Sequence, residues 1–411
     1  MTRLSNLLYC VAISIVFIIA LFLTELVING VQMPFVQTVQ NTFLLLLAIQ
    51  IPLFILLILS GRKRFLNRAD DIFYMTLLVG GFAAIFIIFF RIDYSNRVLA
   101  TGLFYLFVLL IFHTKRAENI SKGHLYHLQE PGDSNTGIIA GGNLNPITLE
   151  TIRNVPANSI IVHSPRLNEE TLLSLLLYCR EKNITLMSLQ EYVENIEGRV
   201  AIQDVTADNI NHYLTSDITL LLKRSFDLSV SASALITLSP LLLLTSLAIR
   251  IETPGKALYS QERVGRGGVP FTIFKLRSMS QVEGQSQSAF ATEDEYRITK
   301  IGAFIRRSRI DEIPQLWNVL KGDMSLIGPR PEQAYFVKQF EKDIPNYSLR
   351  HLVRPGITGW AQVMQGYAAD TESTAEKLSY DLYYIKNLGL TLDLLIIIRT
   401  LKTILSGFGS R

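Results

Sequence analysis

The sequence predicts an integral membrane protein that combines α-helical and α/β regions. Three observations favour this class: apolar segments crowd the N-terminus, short apolar strands alternate with helical patterns in the middle, and a long apolar helix opens a charged C-terminal half. Hydrophobic residues make up 49% of the 411 residues, which is high for a soluble protein of ordinary charge. We therefore expect three regions, at residues 1–116, 117–220 and 221–411.

The first region contains four segments that are long and apolar enough to span a bilayer. They cover residues 7–28, 43–60, 72–90 and 98–113. Three further spans follow the first, so a cleaved signal peptide is not expected there. Four basic residues between 62 and 68, and none between 29 and 41, place both ends of this four-helix bundle in the cytoplasm, although Arg91 and Arg97 argue mildly against that scheme.

The second region is predicted to be a small cytoplasmic α/β domain. Residues 159–163 have the pattern of a buried strand, and residues 169–181 have that of an amphipathic helix. Glycines at 137, 141 and 142 suggest a degenerate dinucleotide-binding fold, but their spacing is not that of the phosphate-binding fingerprint. A structural or regulatory role is therefore favoured over nucleotide binding.

Charge and cysteine content narrow the choice of partners. The net charge is +4, and the basic residues gather beside apolar segments instead of forming a stripe, so nucleic acid is not expected. Membrane lipids and phosphate-bearing substrates fit this pattern better. Cys10 and Cys179 are the only cysteines and suggest neither a disulfide framework nor a metal cluster, so any metal would be held by oxygen ligands.

The third region begins with an apolar helix over about residues 226–250 that Ser239 and Pro240 interrupt. Proline removes one backbone hydrogen bond, so a kink is expected, and the serine hydroxyl can bond the freed carbonyl. Basic residues flank both ends of this helix, whereas a simple span would be positive on one side only. The pattern predicts a re-entrant helix, with an ordinary fifth span as the alternative.

Adjacent carboxylates at Asp311 and Glu312 lie among basic side chains in residues 306–331. Pro314 is typical of a first helical turn and Gly322 of a helix end, which would place both carboxylates near a helix N-terminus. There the helix dipole and nearby arginines would keep a carboxylate ionised, as a nucleophile or metal ligand must be. Helix capping is the alternative, because a serine upstream has capping-box spacing.

Rigid turns in the same half present guanidinium groups. Arg330 lies in the Gly-Pro-Arg-Pro turn at 328–331, and Arg354 lies in an Arg-Pro-Gly turn with Gln362 nearby. Planar guanidinium groups suit bidentate recognition of phosphate. These three residues and Arg306 are candidates for binding substrate phosphate, and contact with lipid head groups is the alternative.

Residues 223–411 resemble the bacterial sugar transferase family, the monotopic polyprenyl-phosphate phosphoglycosyl transferases. The resemblance is carried by an ordered series of motifs: KRSFD at 223–227, Ser239-Pro240, QERVG at 261–265, FKLRSM at 274–279, Asp311-Glu312, LKGDMS at 320–325, GPRP at 328–331, the segment 353–362, and DLYYIK at 381–386. The four-span bundle and α/β domain resemble the larger members, which initiate polysaccharide assembly.

The resemblance implies transfer of a hexose 1-phosphate from a UDP-sugar to undecaprenyl phosphate, with release of UMP. Asp311 would attack the sugar-bearing phosphate, and Asp311 and Glu312 would hold Mg²⁺. Asp381, in a matched motif, is either a supporting acid or a structural partner for a buried arginine. Lys275 and Arg277, on a predicted strand, are weaker candidates for phosphate or interface contact. The pathway implied is the start of exopolysaccharide, capsule or O-antigen (lipopolysaccharide) synthesis.

Such substrates bear on topology as well. A fifth span would place the catalytic residues outside the cell, away from nucleotide sugars, so the re-entrant helix should keep them on the cytoplasmic face of the bacterial inner membrane. Residues 390–405 are apolar but interrupted by charges, and they are expected to form an interfacial amphipathic helix or, alternatively, a core helix. Pairing of the bundles would allow a homodimer.

Two other functions fit parts of the sequence. One is a catalytically silent membrane scaffold of a polysaccharide assembly complex, against which the intact Asp311-Glu312 pair argues. The other is a glycosyl transferase that moves only the sugar. It would release UDP instead of UMP.

Overall fold

Besides scattered positions between residues 19 and 111, a computed structural model describes residues 125–129, 138–139, 142–143, 145–157, 159–163, 167–205, 216–280, 297–365 and 371–406. The first three predicted spans lie outside the described residues apart from single positions, and in the fourth residues 98–105 are helical. The four-helix bundle therefore stays a prediction. The chain divides into two compact units, Met1–Gly198 and Arg199–Arg411.

The first unit contains a parallel sheet of four strands. In chain order they are β1 (Leu125–Leu128), β4 (Asn145–Ile147), β5 (Ile160–His163) and β6 (Thr185–Ser188). Their order in the sheet is β4-β1-β5-β6, and every pairing is parallel. A separate antiparallel ladder joins β2 (Ile138–Ile139) to β3 (Gly142–Asn143).

Two helices accompany this sheet, α1 (Glu169–Glu181) and α2 (Leu189–Glu197). Each begins at a capping side chain: Asn168 accepts a hydrogen bond from the backbone of Thr171, and Ser188 accepts one from Glu191. Leu175 and Cys179 of α1 pack against the sheet in a buried apolar cluster. The predicted strand at 159–163, the predicted helix at 169–181 and the α/β character of this region are confirmed.

The second unit contains a long apolar helix, α3 (Asp217–Glu252). It is the one helix among the described residues that is long and apolar enough to cross a membrane. Over its most apolar 18 residues the mean hydropathy is 2.0, and only 6% of that window is buried. The buried side chains of α3 are Lys223, Asp227, Ser231 and Ile249, and its other apolar side chains are exposed or only partly buried.

Ser239 and Pro240 lie inside α3, and the helix continues through both. Pro240 has no N–H to donate to the carbonyl of Ile236, and the Ser239 hydroxyl donates to that carbonyl instead, at 2.8 Å. The predicted role of the hydroxyl is thus confirmed. The helical hydrogen-bond pattern is continuous across Ser239 and Pro240, and the kink and the re-entrant course stay predictions.

The rest of the second unit packs small helices around short strands. Its elements are β7 (Leu258–Val264), β8 (Pro270–Leu276), α4 (Lys300–Arg307), α5 (Gln315–Lys321), β9 (Ser325–Ile327), α6 (Ala334–Asp343), β10 (Gly356–Thr358), α7 (Trp360–Met364), α8 (Thr371–Lys386) and α9 (Leu390–Ser406). Strands β7 and β8 form an antiparallel hairpin, whereas β9 and β10 pair in parallel.

Helix α9 is a core helix, the alternative to the interfacial helix expected for residues 390–405. Its apolar side chains at 392, 395, 396 and 398 are buried. The charges that interrupt the apolar pattern have partners within the unit: Asp393 pairs with Lys223 at 2.7 Å, and Arg399 lies 5.0 Å from the ring centroid of Trp360. The interfacial expectation was wrong for this segment, because those four apolar side chains and two of its three charged ones, Asp393 and Arg399, are buried inside the protein.

Residues 199–205, which we call the strap, belong to the second unit. Val200 and Val205 are buried, at 1% and 7% exposure. The Val200 backbone donates to the carbonyl of Ser379 on α8 at 3.0 Å, and the Asn346 side chain donates to the carbonyl of Val205 at 3.2 Å. The strap therefore joins two elements of the second unit, α8 and the segment that follows α6.

Candidate active site

The Asp311-Glu312 pair lies in a tight turn between α4 and α5. Arg309 enters the turn in the left-handed region, with φ 57° and ψ 17°, and residues Ile310–Glu312 form a single 3-10 turn. Helix α5 then begins after Pro314 and ends at Gly322, whose φ is 98°. The short helix predicted between these two residues is confirmed, and the carboxylates lie directly before it.

Three cations converge on one oxygen of Glu312. Its Oε1 lies 2.8 Å from Arg330 Nη2, 3.3 Å from Lys275 Nζ and 3.6 Å from Arg309 Nη1. Burial acts to raise the pKa of Glu312, but Arg330, Lys275 and Arg309 outweigh it and hold this pKa far below its usual range. Glu312 is therefore ionised at any physiological pH, as expected from the sequence.

Asp311 has the opposite electrostatic environment. Burial, followed by the charge of Glu312, raises the pKa of Asp311 to about 6, and the nearby cations offset this only in part. Nearby cations favour the ionised form of Asp311, as expected, but burial and Glu312 outweigh them because the cations converge on the neighbouring carboxylate. With a pKa of about 6, Asp311 is still mostly ionised at neutral pH.

Buried polar atoms without a hydrogen-bond partner surround the turn. In the described structure they include Oδ1 of Asp311, Nη1 of Arg306 at the end of α4, and Nε2 of Gln315 at the start of α5. Buried polar groups normally have partners, and these three combine one acceptor with two donors. Acceptor oxygens such as those of a phosphate would satisfy the two donors, and a hydroxyl donor or a cation would satisfy Oδ1 of Asp311.

Arg330 reaches Glu312 from the turn that follows β9. Backbones approach closely there: a Cβ on Gly356 would lie 2.1 Å from the backbone nitrogen of Gly328. No side chain fits at that contact, so glycine allows the ladder of β9 and β10 to lie directly beneath the turn. Four of the predicted site residues are thus brought together: Asp311, Glu312, Arg330 and Lys275 of β8.

Arg354 lies at the other end of α5. Its Nε donates to the carbonyl of Gly322 at 2.9 Å, and Arg224 of α3 donates to the carbonyls of Val319 and Leu320 at 2.7 and 3.1 Å. Both guanidinium groups therefore cap the helix C-terminus, where carbonyls lack helical partners. The structure assigns Arg354 a bond to the protein backbone and does not place it at the carboxylate pair.

Arg277 and Gln362 also lie apart from the pair. Arg277 donates to the carbonyls of Thr253 and Pro254, at 2.8 and 2.7 Å, which fixes the chain just after α3. Gln362 lies on α7, and its Oε1 is buried without a hydrogen-bond partner in the described structure. Neither side chain has a hydrogen bond to Asp311 or Glu312 within that part of the chain.

Asp381 pairs with Arg350, whose guanidinium lies 2.9 Å away, and both side chains are buried. Of the two interpretations of Asp381, the structure supports the structural partner of a buried arginine. Burial raises the pKa of Asp381, and Arg350 counteracts that effect.

Three residues at or near the site were not identified by the sequence analysis. Arg309 and Gln315 flank the carboxylate pair, two residues before and four residues after Asp311, so their spacing could have indicated them. Arg350 carried no such signal, because only the fold brings it to the turn of Arg330.

The site offers few oxygen ligands for a metal ion. Within the described residues no group of three or more His, Cys, Asp and Glu side chains could hold a metal ion. Mg²⁺ is often bound by one or two carboxylates together with substrate phosphates, and it keeps several waters. Oδ1 of Asp311, buried without a partner, fits that coordination, whereas Oε1 of Glu312 already faces three cations.

Comparison with known proteins decides the family. The family described as bacterial sugar transferase matches residues 218–407. An exopolysaccharide production protein of Rhizobium leguminosarum bv. phaseoli is 40% identical over 191 residues, which are 44% of this chain and 94% of that protein. The chain belongs to the bacterial sugar transferase family.

Two further relatives each match about half of the chain. A UDP-N-acetylgalactosamine-undecaprenyl-phosphate N-acetylgalactosaminephosphotransferase of Aeromonas hydrophila is 47% identical over 233 residues, 57% of this chain and 55% of that protein. A UDP-glucose:undecaprenyl-phosphate glucose-1-phosphate transferase of Escherichia coli K12 is 38% identical over 188 residues, 45% of this chain and 40% of that protein. The chain thus spans about half the length of these two relatives.

Proposed function

We propose that this bacterial sugar transferase moves a hexose 1-phosphate from a UDP-sugar to undecaprenyl phosphate. One observation carries the proposal: a buried carboxylate, Asp311, lies beside a second carboxylate on which three cations converge. The named activities of the A. hydrophila and E. coli relatives, which match this half of the chain, supply the donor and acceptor classes.

In the proposed reaction Asp311 is the nucleophile. One of its carboxylate oxygens attacks the sugar-bearing phosphorus of the donor, the bond from that phosphorus to the bridging oxygen breaks, and UMP leaves with the electron pair. The phosphate of undecaprenyl phosphate then attacks the same phosphorus, and the Asp311 carboxylate leaves. Dividing the transfer in this way is the logic of covalent catalysis by a carboxylate. A pKa of about 6 keeps Asp311 ionised at neutral pH.

Lys275, Arg309 and Arg330 would bind the diphosphate of the donor. Their charged groups lie within 2.8–3.6 Å of one carboxylate oxygen, so they already form a site for a compact anion. Phosphate oxygens are the anions that such convergent cations bind best. Arg306, with a buried Nη1 that lacks a partner, is the fourth candidate.

Asp311 would hold Mg²⁺ through its unpartnered Oδ1, and Glu312 through the carboxylate oxygen that does not face the three cations, together with oxygens of the donor diphosphate. The ion, when bound, would neutralise charge on the transferring phosphoryl group. The residues of the chain would do the rest: Glu312 would keep Lys275 and Arg330 in place, and the buried turn would limit access of water to Asp311. Exclusion of water protects a covalent phosphosugar from hydrolysis.

A re-entrant course for α3 is supported by contacts at its two ends. Arg224, near the start, bonds the carbonyls that end α5, and Thr253, just after α3, accepts from Arg277. These two contact points belong to one packed structure, because the Asn318 side chain of α5 donates to the carbonyl of Thr272 on β8 at 2.6 Å. Such polar, irregular structure cannot lie in hydrocarbon, so both ends of α3 belong on one side of the membrane.

The cytoplasmic face of the inner membrane is that side in our proposal, because sugar nucleotides are made in the cytoplasm. Exposed aromatic side chains near α3, Phe304 of α4 and Trp317 of α5, suit contact with the head-group region. The name of the R. leguminosarum relative, an exopolysaccharide production protein, supports exopolysaccharide synthesis as the pathway. A homodimer through the N-terminal bundle stays part of the proposal.

Nucleotide release tests the function directly. The full chain in nanodiscs, with Mg²⁺ and undecaprenyl phosphate, is offered UDP-glucose, UDP-galactose and UDP-N-acetylgalactosamine, and released UMP and UDP are separated chromatographically. We expect UMP with at least one donor and none from Asp311→Asn. Release of UDP would indicate glycosyl transfer, and no release with any donor would favour the scaffold.

A further inference from the structure

The turn that carries Arg330 is held from behind by a second group of charged side chains. The guanidinium of Arg350, only 3% exposed, donates to the carbonyl of Arg330 at 2.9 Å. It also donates to the hydroxyl of Tyr347 at 2.6 Å and to the carboxylate of Asp381 at 2.9 Å. Arg350 thus connects the turn to two groups that are fixed in the core.

The residues after Arg330 are held in the same way. Glu332 accepts from Lys377 at 2.5 Å and lies 3.8 Å from Arg263 and 3.9 Å from Arg350. Its backbone carbonyl accepts from the Val264 backbone at 2.9 Å. The main chain on the C-terminal side of Arg330 therefore has little freedom, and the Arg350 bond fixes the carbonyl of Arg330 itself.

We propose that Arg350 is a positioning residue for phosphoryl transfer: its bond to the Arg330 carbonyl directs the Arg330 guanidinium to the site occupied by Oε1 of Glu312. This inference rests on the proposed function. A long side chain magnifies any rotation of its backbone, and a misplacement of about 1 Å can lower an enzymatic rate about 100-fold. The alternative is a purely structural role, in which Arg350 and Asp381 only stabilise the fold.

A double-mutant cycle on the full chain in nanodiscs separates the two roles. Arg350→Met with Asp381→Leu removes both charges together, because removal of one alone would leave a buried charge uncompensated. Arg330→Lys retains the positive charge but lacks the planar fork. The two changes are made singly and together. Each protein is measured for kcat and KM of UMP release, for its Kd for UDP, and for its melting temperature.

If Arg350 positions Arg330, the paired replacement lowers kcat by about 10- to 100-fold while the protein stays folded. It also weakens UDP binding. In the Arg330→Lys background the same replacement changes kcat and Kd less than about threefold, because the group that Arg350 positions has already been altered. Wild-type kcat in the folded paired variant, or an undiminished loss in the Arg330→Lys background, would overturn the proposal.

The proposal can also be tested if the paired variant does not fold or if the wild-type protein is inactive. If the paired variant does not fold, Arg350→Lys, which keeps the charge facing Asp381, takes its place in the cycle, and the same pattern of non-additivity is required. If wild-type protein releases no UMP with any donor, the proposed function fails, and the Kd values for UDP still decide whether Arg350 acts through Arg330.

Discussion

At the scale of single residues, the site separates two neighbouring carboxylates by environment. Glu312 faces Lys275, Arg309 and Arg330 and has a strongly lowered pKa, whereas burial raises that of Asp311 to about 6. Pairs of titratable groups whose environments push their pKa values apart are typical of divided catalytic roles. We assign Glu312 to holding the cations and Asp311 to the reaction.

Replacing the proposed nucleophile should stabilise the protein in the absence of metal. The pKa of Asp311 is raised from 3.8 to about 6, so ionisation of Asp311 lowers the free energy of unfolding above pH 6. Asp311→Asn removes this penalty, which is at most about 3 kcal/mol. We expect a higher melting temperature than wild type at pH 8 in EDTA. The difference should shrink as pH falls from 6 towards 4, where Asp311 becomes protonated.

Glu312→Gln is the matched control for that experiment. It leaves three cations around an uncharged amide, so its melting temperature should fall below that of wild type at pH 8. A melting temperature of Asp311→Asn equal to or below that of wild type would contradict the assigned burial penalty.

Two arginines that look alike in sequence should differ in function. Arg330→Ala removes a cation from the carboxylate pair and should lower kcat/KM about 100-fold or more. Arg354→Ala removes a bond to the carbonyl of Gly322 and should act mainly on stability, by about 1 kcal/mol, with kcat/KM changed only a few-fold. Measuring kcat/KM and the melting temperature of both variants against wild type checks this difference. Equal losses of kcat/KM in the two variants would instead support a phosphate-binding role for Arg354.

Residue types and spacing predicted the carboxylate pair and Arg330, because each stands in a short motif. A motif was not enough to locate Arg354: an Arg-Pro-Gly turn has one local appearance whether its guanidinium meets phosphate or a helix end, and in the structure its Nε meets a helix end. Arg350 lay beyond sequence reasoning, since its three partners are three, twenty and thirty-one residues away along the chain.

At the scale of elements, α3 makes the sharpest topological prediction. In a variant without the native Cys10 and Cys179, new cysteines replace Asp217 at the start of α3 or Lys256 just after its end. Both positions are exposed. We expect an impermeant maleimide to label both from the cytoplasmic side of sealed vesicles, because both ends of a re-entrant helix share one side.

Asn29→Cys is the control for sidedness, since the loop after the first predicted span should be labelled from the opposite side only. Labelling of the positions at 217 and 256 from opposite sides would establish α3 as an ordinary span.

Helical periodicity and turn residues predicted several of the described elements, including α1, α5 and the position of α3. They also indicated the bond from the Ser239 hydroxyl to a freed carbonyl. They left α9 open. An apolar helix with three charges suits a membrane surface or a core, and the choice depends on whether partners such as Lys223 and Trp360 are at hand.

At the scale of the whole molecule, the catalytic unit includes the strap, which precedes α3. The R. leguminosarum relative is matched over 94% of its length by 44% of this chain, so a segment of that size is close to a complete protein in that relative. We expect a fragment of residues 199–411 to be more stable than one of residues 207–411, because the longer fragment retains two buried valines, Val200 and Val205.

Burial of the two valines contributes about 2 kcal/mol or more. A difference in melting temperature of about 4–8 °C is therefore expected in detergent. In the full chain, Val200→Ser should lower the melting temperature, whereas Arg199→Ala should have little effect, because the Arg199–Glu376 pair is 42% exposed on both sides. Equal melting temperatures for the two fragments would show that the strap is dispensable.

The carboxylate of Glu312 has a consequence for inhibition. It occupies the point at which three cations meet, so a compound that enters this site must compete with a negative charge that belongs to the enzyme. Neutral mimics of the sugar nucleotide offer the cations nothing in exchange and should bind weakly. Compounds with a compact dianion have the better starting point, and their affinity should rise in Glu312→Gln, where the resident competitor is gone.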